Sequence, residues 1–321
     1  MRINSPYFYL AFFLILNIFN FVDRNLLIAF APQIKSEFNL TNVQWGLLTG
    51  VYFLFFYSVF GIFMGVLGDK FSRMKIAAAG VFLWSLMTAV TGIAKNFSHL
   101  IFARALIGVG ESALTPNAIS MLSDLFKQNQ RGTASAIYYL GIPLGVGFGM
   151  LIAAFFGPIF GWRAVFIFLG LIGMGLGILT YFLFEPIRGQ LDINFDKTSK
   201  PNSIKDILSM TKSALYNSKC LTFVIIGSIF LHIPLGAGNF EVLWAVNERG
   251  FTASSYNSLF GFLFIIGGTV GALAGGILSD RLSHYFKGGV MTFLVISYII
   301  LTPLTVSYRF ISPDSYFFYF T

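Results

Sequence analysis

Nine times along the chain, about twenty consecutive residues run apolar with almost no charge, near 7–30, 45–67, 76–94, 99–125, 132–156, 163–184, 220–246, 254–278 and 289–308. At 1.5 Å per residue, each run is long enough to cross the ~30 Å hydrocarbon layer of a bilayer as one helix. A tenth run begins near Tyr316 and reaches Thr321. No water is available in lipid to bond peptide groups, so such runs satisfy their own backbones as helices. The predicted fold class is all-α integral membrane. Composition agrees, with 56% hydrophobic and 11% charged residues, where a soluble domain is about a quarter charged.

The formal charge of +8 would suit a nucleic-acid binder, but its distribution argues for membrane topology. With a cytoplasmic N-terminus, fourteen of the 21 basic residues fall in predicted inner loops and five in outer loops. That is the positive-inside bias. Only Arg24 and Arg104 lie inside predicted spans. The first run follows a single Arg2 and lacks a small-residue cleavage site, so it reads as a retained helix. One cysteine, Cys220, excludes an internal disulfide framework and any multi-cysteine metal site.

The chain also repeats itself. Gly65-Val-Leu-Gly68-Asp69-Lys-Phe-Ser72-Arg73 and Gly276-Ile-Leu-Ser-Asp280-Arg281-Leu-Ser283-His284 share one pattern at an offset of 211 residues. The same offset carries Glu37 onto Glu248, Thr41 onto Thr252 and Gly50 onto Gly261. Six spans, a polar stretch and the same order restarting is the plan of a parallel-repeat transporter. The expected division is a six-helix bundle over 1–185, a cytoplasmic linker over 186–218 and an incomplete second bundle over 219–321.

Each repeat motif sits at the inner end of a second span. Glycine there permits close helix approach, and Asp69 and Asp280 could pair with a cation or accept from a helix N-terminus. Gly65, Gly68, Asp69, Arg73, Gly276, Asp280 and Arg281 form the expected gate motif. Within the spans, Asp23 lies about 13 Å and Glu111 about 18 Å from the predicted outer face, near the bilayer midplane. A carboxylate at that depth is costly unless it pairs or takes up a proton, so Asp23 and Glu111 are the proton-coupling candidates. Arg24, Arg104, His232 and Glu241 are the expected cavity residues, and arginines favour an anionic or zwitterionic solute through two-donor recognition. A static ion pair that fixes helix packing is the bland alternative. Glycines 141, 145 and 149, and 267, 271 and 275, read as stripes for close packing, with Pro143 a bend. Gly108-Val-Gly110 lies in an apolar helix without a preceding strand and is no dinucleotide site. No phosphate loop, zinc motif or hydrolase elbow appears in the sequence, so neither enzyme chemistry nor a cofactor is expected.

These residues resemble the major facilitator superfamily: Gly65 to Lys75 is similar to its loop between spans two and three, and Arg104-x-x-x-Gly108-x-Gly110 to its fourth-span motif. More narrowly, Asn20-Phe-Val-Asp23-Arg24, Gly108-Val-Gly110-Glu111-Ser and Glu185-Pro-Ile-Arg188-Gly resemble the Spinster branch. The resemblance implies two pseudo-symmetric six-helix bundles alternating access to a solute held between them. It also implies proton coupling at Asp23 and Glu111 with Arg24 in the site, and lysolipid or sphingoid-phosphate solutes in relatives. His284 stands where the family has arginine, and the tenth to twelfth spans are missing or incomplete, so the chain as it stands is expected not to transport. The expectation is a monomeric, proton-linked carrier of an amphipathic or anionic organic solute in the cell (inner) membrane, working with solute, protons and lipid and not with nucleic acid. Alternatives are an organic-anion or drug carrier of a neighbouring branch, or a receptor or scaffold that kept the fold.

Overall fold

The computed structural model describes residues 5–189, 191, 209, 213, 216–286, 288–312 and 315. All regular structure among them is helical. The helices are α1 (Pro6–Ala29), α2 (Ala31–Glu37), α3 (Asn42–Gly46), α4 (Tyr52–Lys70), α5 (Arg73–Gly92), α6 (Phe97–Glu111), α7 (Leu114–Leu125), α8 (Arg131–Tyr139), α9 (Gly141–Tyr181), α10 (Lys219–Ala237), α11 (Glu241–Arg249), α12 (Ala253–Leu282) and α13 (Gly289–Ser307). Several join end to end, and among the described residues seven helices or helix runs are long and apolar enough to cross a membrane. The run Arg131–Tyr181 covers both the fifth and the sixth predicted segments, because Gly161 turns the chain within it. The tenth predicted segment and most of the expected connector lie outside the described residues.

The chain divides into two compact units, residues 1–262 and 263–321. The second unit comprises the later part of α12, a 3₁₀ turn at Ser283–Tyr285, and α13 with Pro303 in its interior. The first carries the candidate site. Its core has one layer built on Phe13, Leu16, Trp84 and Tyr138, and another on Leu26, Phe30, Trp45 and Phe166. Helices α1 and α5 both lie along α9, and missing side chains set their separation. A Cβ on Gly145 would strike Ile18 and Phe21 of α1, and one on Gly170 would strike Ser85 and Ala89 of α5. The expected stripe Gly141, Gly145, Gly149 therefore faces α1, whereas a Cβ on Gly267, Gly271 or Gly275 would meet nothing within 4 Å among the described residues.

Three irregularities have local causes. Pro116 lacks an N–H and crowds the carbonyl four residues earlier, and the fourth span breaks there between α6 and α7, immediately after Glu111. Pro143 acts likewise between α8 and α9, giving the expected bend. Gly161 adopts φ 74°, ψ 159°, a region open essentially to glycine alone, and makes a one-residue corner between α9's two halves.

Charged clamps tie off both ends of the first unit. On the predicted inner face, Arg73 donates to Glu185 (2.8 Å), Asp124 (2.5 Å), Ser120 (2.9 Å) and the Pro186 carbonyl (3.1 Å). Arg188 donates to the carbonyls of Gly68, Asp69 and Phe71, which the end of α4 leaves without intrahelical partners. On the opposite face, Arg163 donates to Glu37 (2.6 Å) and to the Gly92 and Ala94 carbonyls, while Trp162 Nε1 donates to the other Glu37 oxygen (2.8 Å).

The repeat also appears in the backbone. Asn39 and Gly250, 211 residues apart, both take positive φ (50° and 74°) at a helix C-terminus. Thr41 and Thr252 then accept from the backbone N–H three residues on, at 3.2 and 3.1 Å, so each half starts its second span with the same side-chain cap.

Hydrogen bonds from Arg163 hold the Glu37 carboxyl below its ordinary pKa. A depressed folded-state pKa adds stability that is complete above the unfolded carboxyl pKa and is lost as pH falls through the folded value. Thermal unfolding of the wild type should therefore move to lower temperature on acidification by more than that of Glu37→Gln; parallel pH profiles would rule the clamp out as the source.

Candidate functional site

Between the two core layers, four ionisable side chains from two helices meet. Asp23 and Arg24 come from α1, and Arg104 and Glu111 from α6, two turns apart on the same helix. Asp23, Arg104 and Glu111 are all buried, whereas Arg24 keeps a quarter of its side chain (25%) exposed. The helices deliver them there because the surrounding positions are glycine or small. A Cβ on Gly108 would strike Phe53 and Tyr57 of α4, and one on Gly110 would strike Gly80 and Trp84 of α5, so α6 runs against both neighbours at backbone distance.

Arg24 makes the strongest contact. Its Nη2 and Nε both donate to one Glu111 oxygen, Oε2, at 2.6 and 3.1 Å, leaving Oε1 without a hydrogen-bond partner among the described residues. The guanidinium sits 4.6 to 5.0 Å from the ring centroids of Phe53, Phe21 and Tyr57, a cage whose π faces favour a cation. Arg104 lies 4.6 Å from the same Phe53 ring and donates to the Arg24 carbonyl at 3.3 Å. Asp23 Oδ2 lies 3.3 Å from the Thr88 hydroxyl, whose single proton is shared with the Trp84 carbonyl at 3.0 Å, and its Oδ1 has no hydrogen-bond partner among the described residues. The arrangement holds one carboxylate by a charge-assisted bond and a second by a single neutral donor. Removing two charges from water costs several kcal/mol per ion, so the Arg24–Glu111 contact has to be close to persist at this depth.

The other sequence candidates lie apart. His232 Nδ1 is bonded to the Ser228 carbonyl of its own helix at 2.7 Å. Glu241 opens α11, beyond a 3₁₀ turn that follows α10. Of the gate motif, Arg73 is buried at the hub of the clamp on the predicted inner face, Gly68 gives Asn117 its space, and a Cβ on Gly65 would meet nothing within 4 Å among the described residues. Asp69 is exposed and enters the clamp through its backbone carbonyl. Gly276, Asp280 and Arg281 fall in the last turns of α12, with Arg281 exposed and only the backbone described for Asp280. No cluster of three or more potential metal ligands occurs among the described residues.

Several participants were missed in the sequence. Thr88 and the rings of Phe21, Phe53 and Tyr57 sit inside apolar runs where nothing distinguishes them from ordinary span residues. Asp124, Glu185 and Arg188 had a signal: charges at span ends facing the basic 73–75 segment.

The sequence pattern of the Major Facilitator Superfamily matches residues 13–320. Protein spinster of Drosophila melanogaster is 28% identical over 87% of this chain and 46% of its own length. A sphingosine-1-phosphate transporter of Danio rerio is 32% identical over 55% of this chain and 36% of its own length. The chain thus spans about half the length, or less, of these relatives. Among solved structures, a bacterial homolog of the human lysosomal transporter Spinster, in an inward-facing and unoccupied conformation, superimposes with a TM-score of 0.80 over the whole of this chain and 71% of its own, at 22% identity, a likeness of fold.

Removing one member of a buried pair leaves an uncompensated charge, which costs roughly 3 kcal/mol or more. Glu111→Leu should therefore unfold in detergent at clearly lower temperature than the wild type, and the double variant Arg24→Met/Glu111→Leu should recover part of the loss. Equal stability of Glu111→Leu and wild type would show that the pair does not hold these helices.

Proposed function

The chain is an integral multi-pass membrane protein that belongs to the major facilitator superfamily, and from that premise we propose that it is a Spinster-like member and part of a secondary transporter, not an enzyme, carrying an amphipathic or anionic organic solute. The observation that carries this reading is the Arg24–Glu111 pair, buried on the carboxylate side and partly open on the arginine side.

A phosphate or carboxylate head approaching Arg24 offers the guanidinium a better two-oxygen partner than the single Oε2 it now grips. Glu111, released from that bond, is the group we read as exchanging a proton when solute binds. Solute binding and proton uptake are linked in this way, and linkage makes the effect reciprocal. Asp23, held by one hydroxyl and by no cation within ion-pair distance among the described residues, is the second proton carrier of the reading. Arg104 positions α1 by its bond to the Arg24 carbonyl. The rings of Phe21, Phe53 and Tyr57 would lie beside the apolar part of a lipid-like solute, the class named for the Danio rerio relative.

Alternating access draws support from a latch on the predicted outer face. Trp45 Nε1 donates to the Asn239 carbonyl at 2.9 Å and Asn257 Nδ2 donates to the Ala29 carbonyl at 2.9 Å. The repeat offset carries Trp45 to Tyr256, beside Asn257, and Ala29 to Phe240, beside Asn239. Each half therefore grips the end of the other's first span with the start of its own second. Ser254 adds a bond to the Ala154 carbonyl at 2.7 Å, and Gly261 lets α12 lie on Gly147 and Leu151. A six-span bundle over 1–185, a linker over 186–218, a second bundle from 219, a cytoplasmic N-terminus, location in the cell (inner) membrane and a monomeric state belong to the same proposal.

Full-length protein in liposomes with an imposed pH gradient tests the reading. Solute-dependent proton flux should be lost in Asp23→Asn and in Glu111→Gln; solute uptake indifferent to both changes would remove them from coupling, and binding without flux would favour a receptor. For the latch, a cysteine at Leu151 in a Cys220→Ser background should be labelled faster by an impermeant thiol reagent when Asn257→Leu is added, and an unchanged rate would discount Asn257 as a gate.

A further inference from the structure

One aromatic side chain in the middle of the bundle holds a donor that its neighbours leave unused. Trp84 on α5 is fully buried, and Gly110 brings α6 to backbone distance of it. Its indole Nε1–H has no hydrogen-bond partner among the described residues, a costly state for a buried polar group. Asp23 on α1 is itself buried, and its Oδ1 is equally without a partner among them. The indole N–H is one of the groups close enough to act on that carboxylate. A donor without an acceptor and an acceptor without a donor thus lie close together, and α5 already reaches Asp23 through the hydroxyl of Thr88, one turn after Trp84.

Trp84 and Thr88 treat the two protonation states of Asp23 differently. A hydroxyl serves both, since it donates to a carboxylate or, with its proton on another acceptor, accepts from a carboxyl O–H. An indole N–H only donates, and a hydrogen bond to an ionised acceptor is roughly twice as strong as one to a neutral acceptor. Its gain is therefore greatest with the anion. In this structure the Thr88 hydroxyl lies nearer the Trp84 carbonyl (3.0 Å) than Asp23 (3.3 Å), and the indole N–H is unspent. That arrangement suits an Asp23 that carries its proton. We propose that Trp84 is a positioning residue for proton exchange at Asp23, its indole N–H closing on Oδ1 when the proton leaves and parting from it when the proton returns. The indole keeps its own hydrogen throughout, so the proton passes only to and from the carboxylate. The proposal rests on the proton-carrying role given to Asp23 above.

The other groups around Asp23 are already engaged. Glu111 and Arg104 face it from α6, and Arg24 follows it on α1. Arg24 is committed to Glu111, and Arg104 to the Arg24 carbonyl and the Phe53 ring. Further helices packed on α1 keep their ionisable side chains elsewhere: Asp124 of α7 is in the clamp on the predicted inner face and Tyr138 of α8 is bonded to Thr115. On α9, Arg163 belongs to the opposite clamp and Tyr181 is the last residue. The neutral donors of α5 are left to answer a change of charge on Asp23.

Infrared spectra of the purified full-length protein, titrated with pH, read the proton directly, because the carboxyl stretching band that is missing in Asp23→Asn belongs to Asp23. Replacing Trp84 by benzothienylalanine keeps the shape of the bicyclic ring and deletes the N–H alone. The midpoint of the Asp23 band should then move to higher pH by roughly 1 to 2 units, the weight of one hydrogen bond to an ionised group, since the anion has lost its donor. Trp84→Phe should shift the midpoint in the same direction and also lower the unfolding temperature, whereas lost packing by itself would lower that temperature and leave the midpoint in place. If Trp84→Phe fails to fold, the benzothienyl variant decides. A midpoint that the benzothienyl ring leaves unchanged would overturn the role of Trp84 and keep Asp23 as a proton carrier. The absence of any titrating band specific to Asp23 would overturn the proton-carrying reading, and this proposal with it.

Discussion

A guanidinium held against a carboxylate inside a lipid-embedded helical bundle is the constraint around which the rest of this molecule is arranged. The pair persists because it is short, because three aromatic rings flank the cation, and because the flanking glycines on α6 bring that helix to backbone distance of α4 and α5. Alanine at Gly108 or Gly110 would push α6 off its neighbours, lengthen the contact and leave two charges to bear their desolvation cost unaided. The small residues of the fourth span are thus as much a part of the site as the charged ones.

The two end clamps protect this geometry by different means. On one face Arg73 and Arg188 gather the end of α4, the end of α7 and the segment after α9 into one network. On the other, Arg163 and Trp162 share Glu37 and tie down two loop carbonyls. Both networks stand at the ends of the bundle, where charged groups are cheaper than in its middle. Among the described residues, the interior is left to glycine contacts, ring packing and one ion pair.

Much of this was legible in the sequence. Apolar run length located the spans, and the presence of Asp23, Arg24, Arg104 and Glu111 inside them marked the cluster, because a charge in a span is conspicuous against so apolar a background. The 211-residue offset found the repeat through Thr41 and Thr252, and the backbone adds Asn39 and Gly250, which no letter comparison would pair. Other things had no letter to read. Arg188 and Arg163 are spent largely on main-chain carbonyls, and Thr88 and the rings around Arg24 have no distinguishing pattern within a hydrophobic run. The break after Glu111 is written in Pro116, a residue whose effect on the carbonyl four positions earlier is general.

The latch proposed on the predicted outer face is asymmetric. Its donors are side chains, but the acceptors of Trp45 and Asn257 are peptide oxygens, one in the 3₁₀ turn after α10 and one at the end of α1. A main-chain oxygen survives every replacement of the residue that bears it. Genetic drift can therefore erode the latch from one side only, through Trp45 and Asn257, and because neither bond involves an ion, salt concentration in the surrounding fluid gives no handle on how firmly it holds.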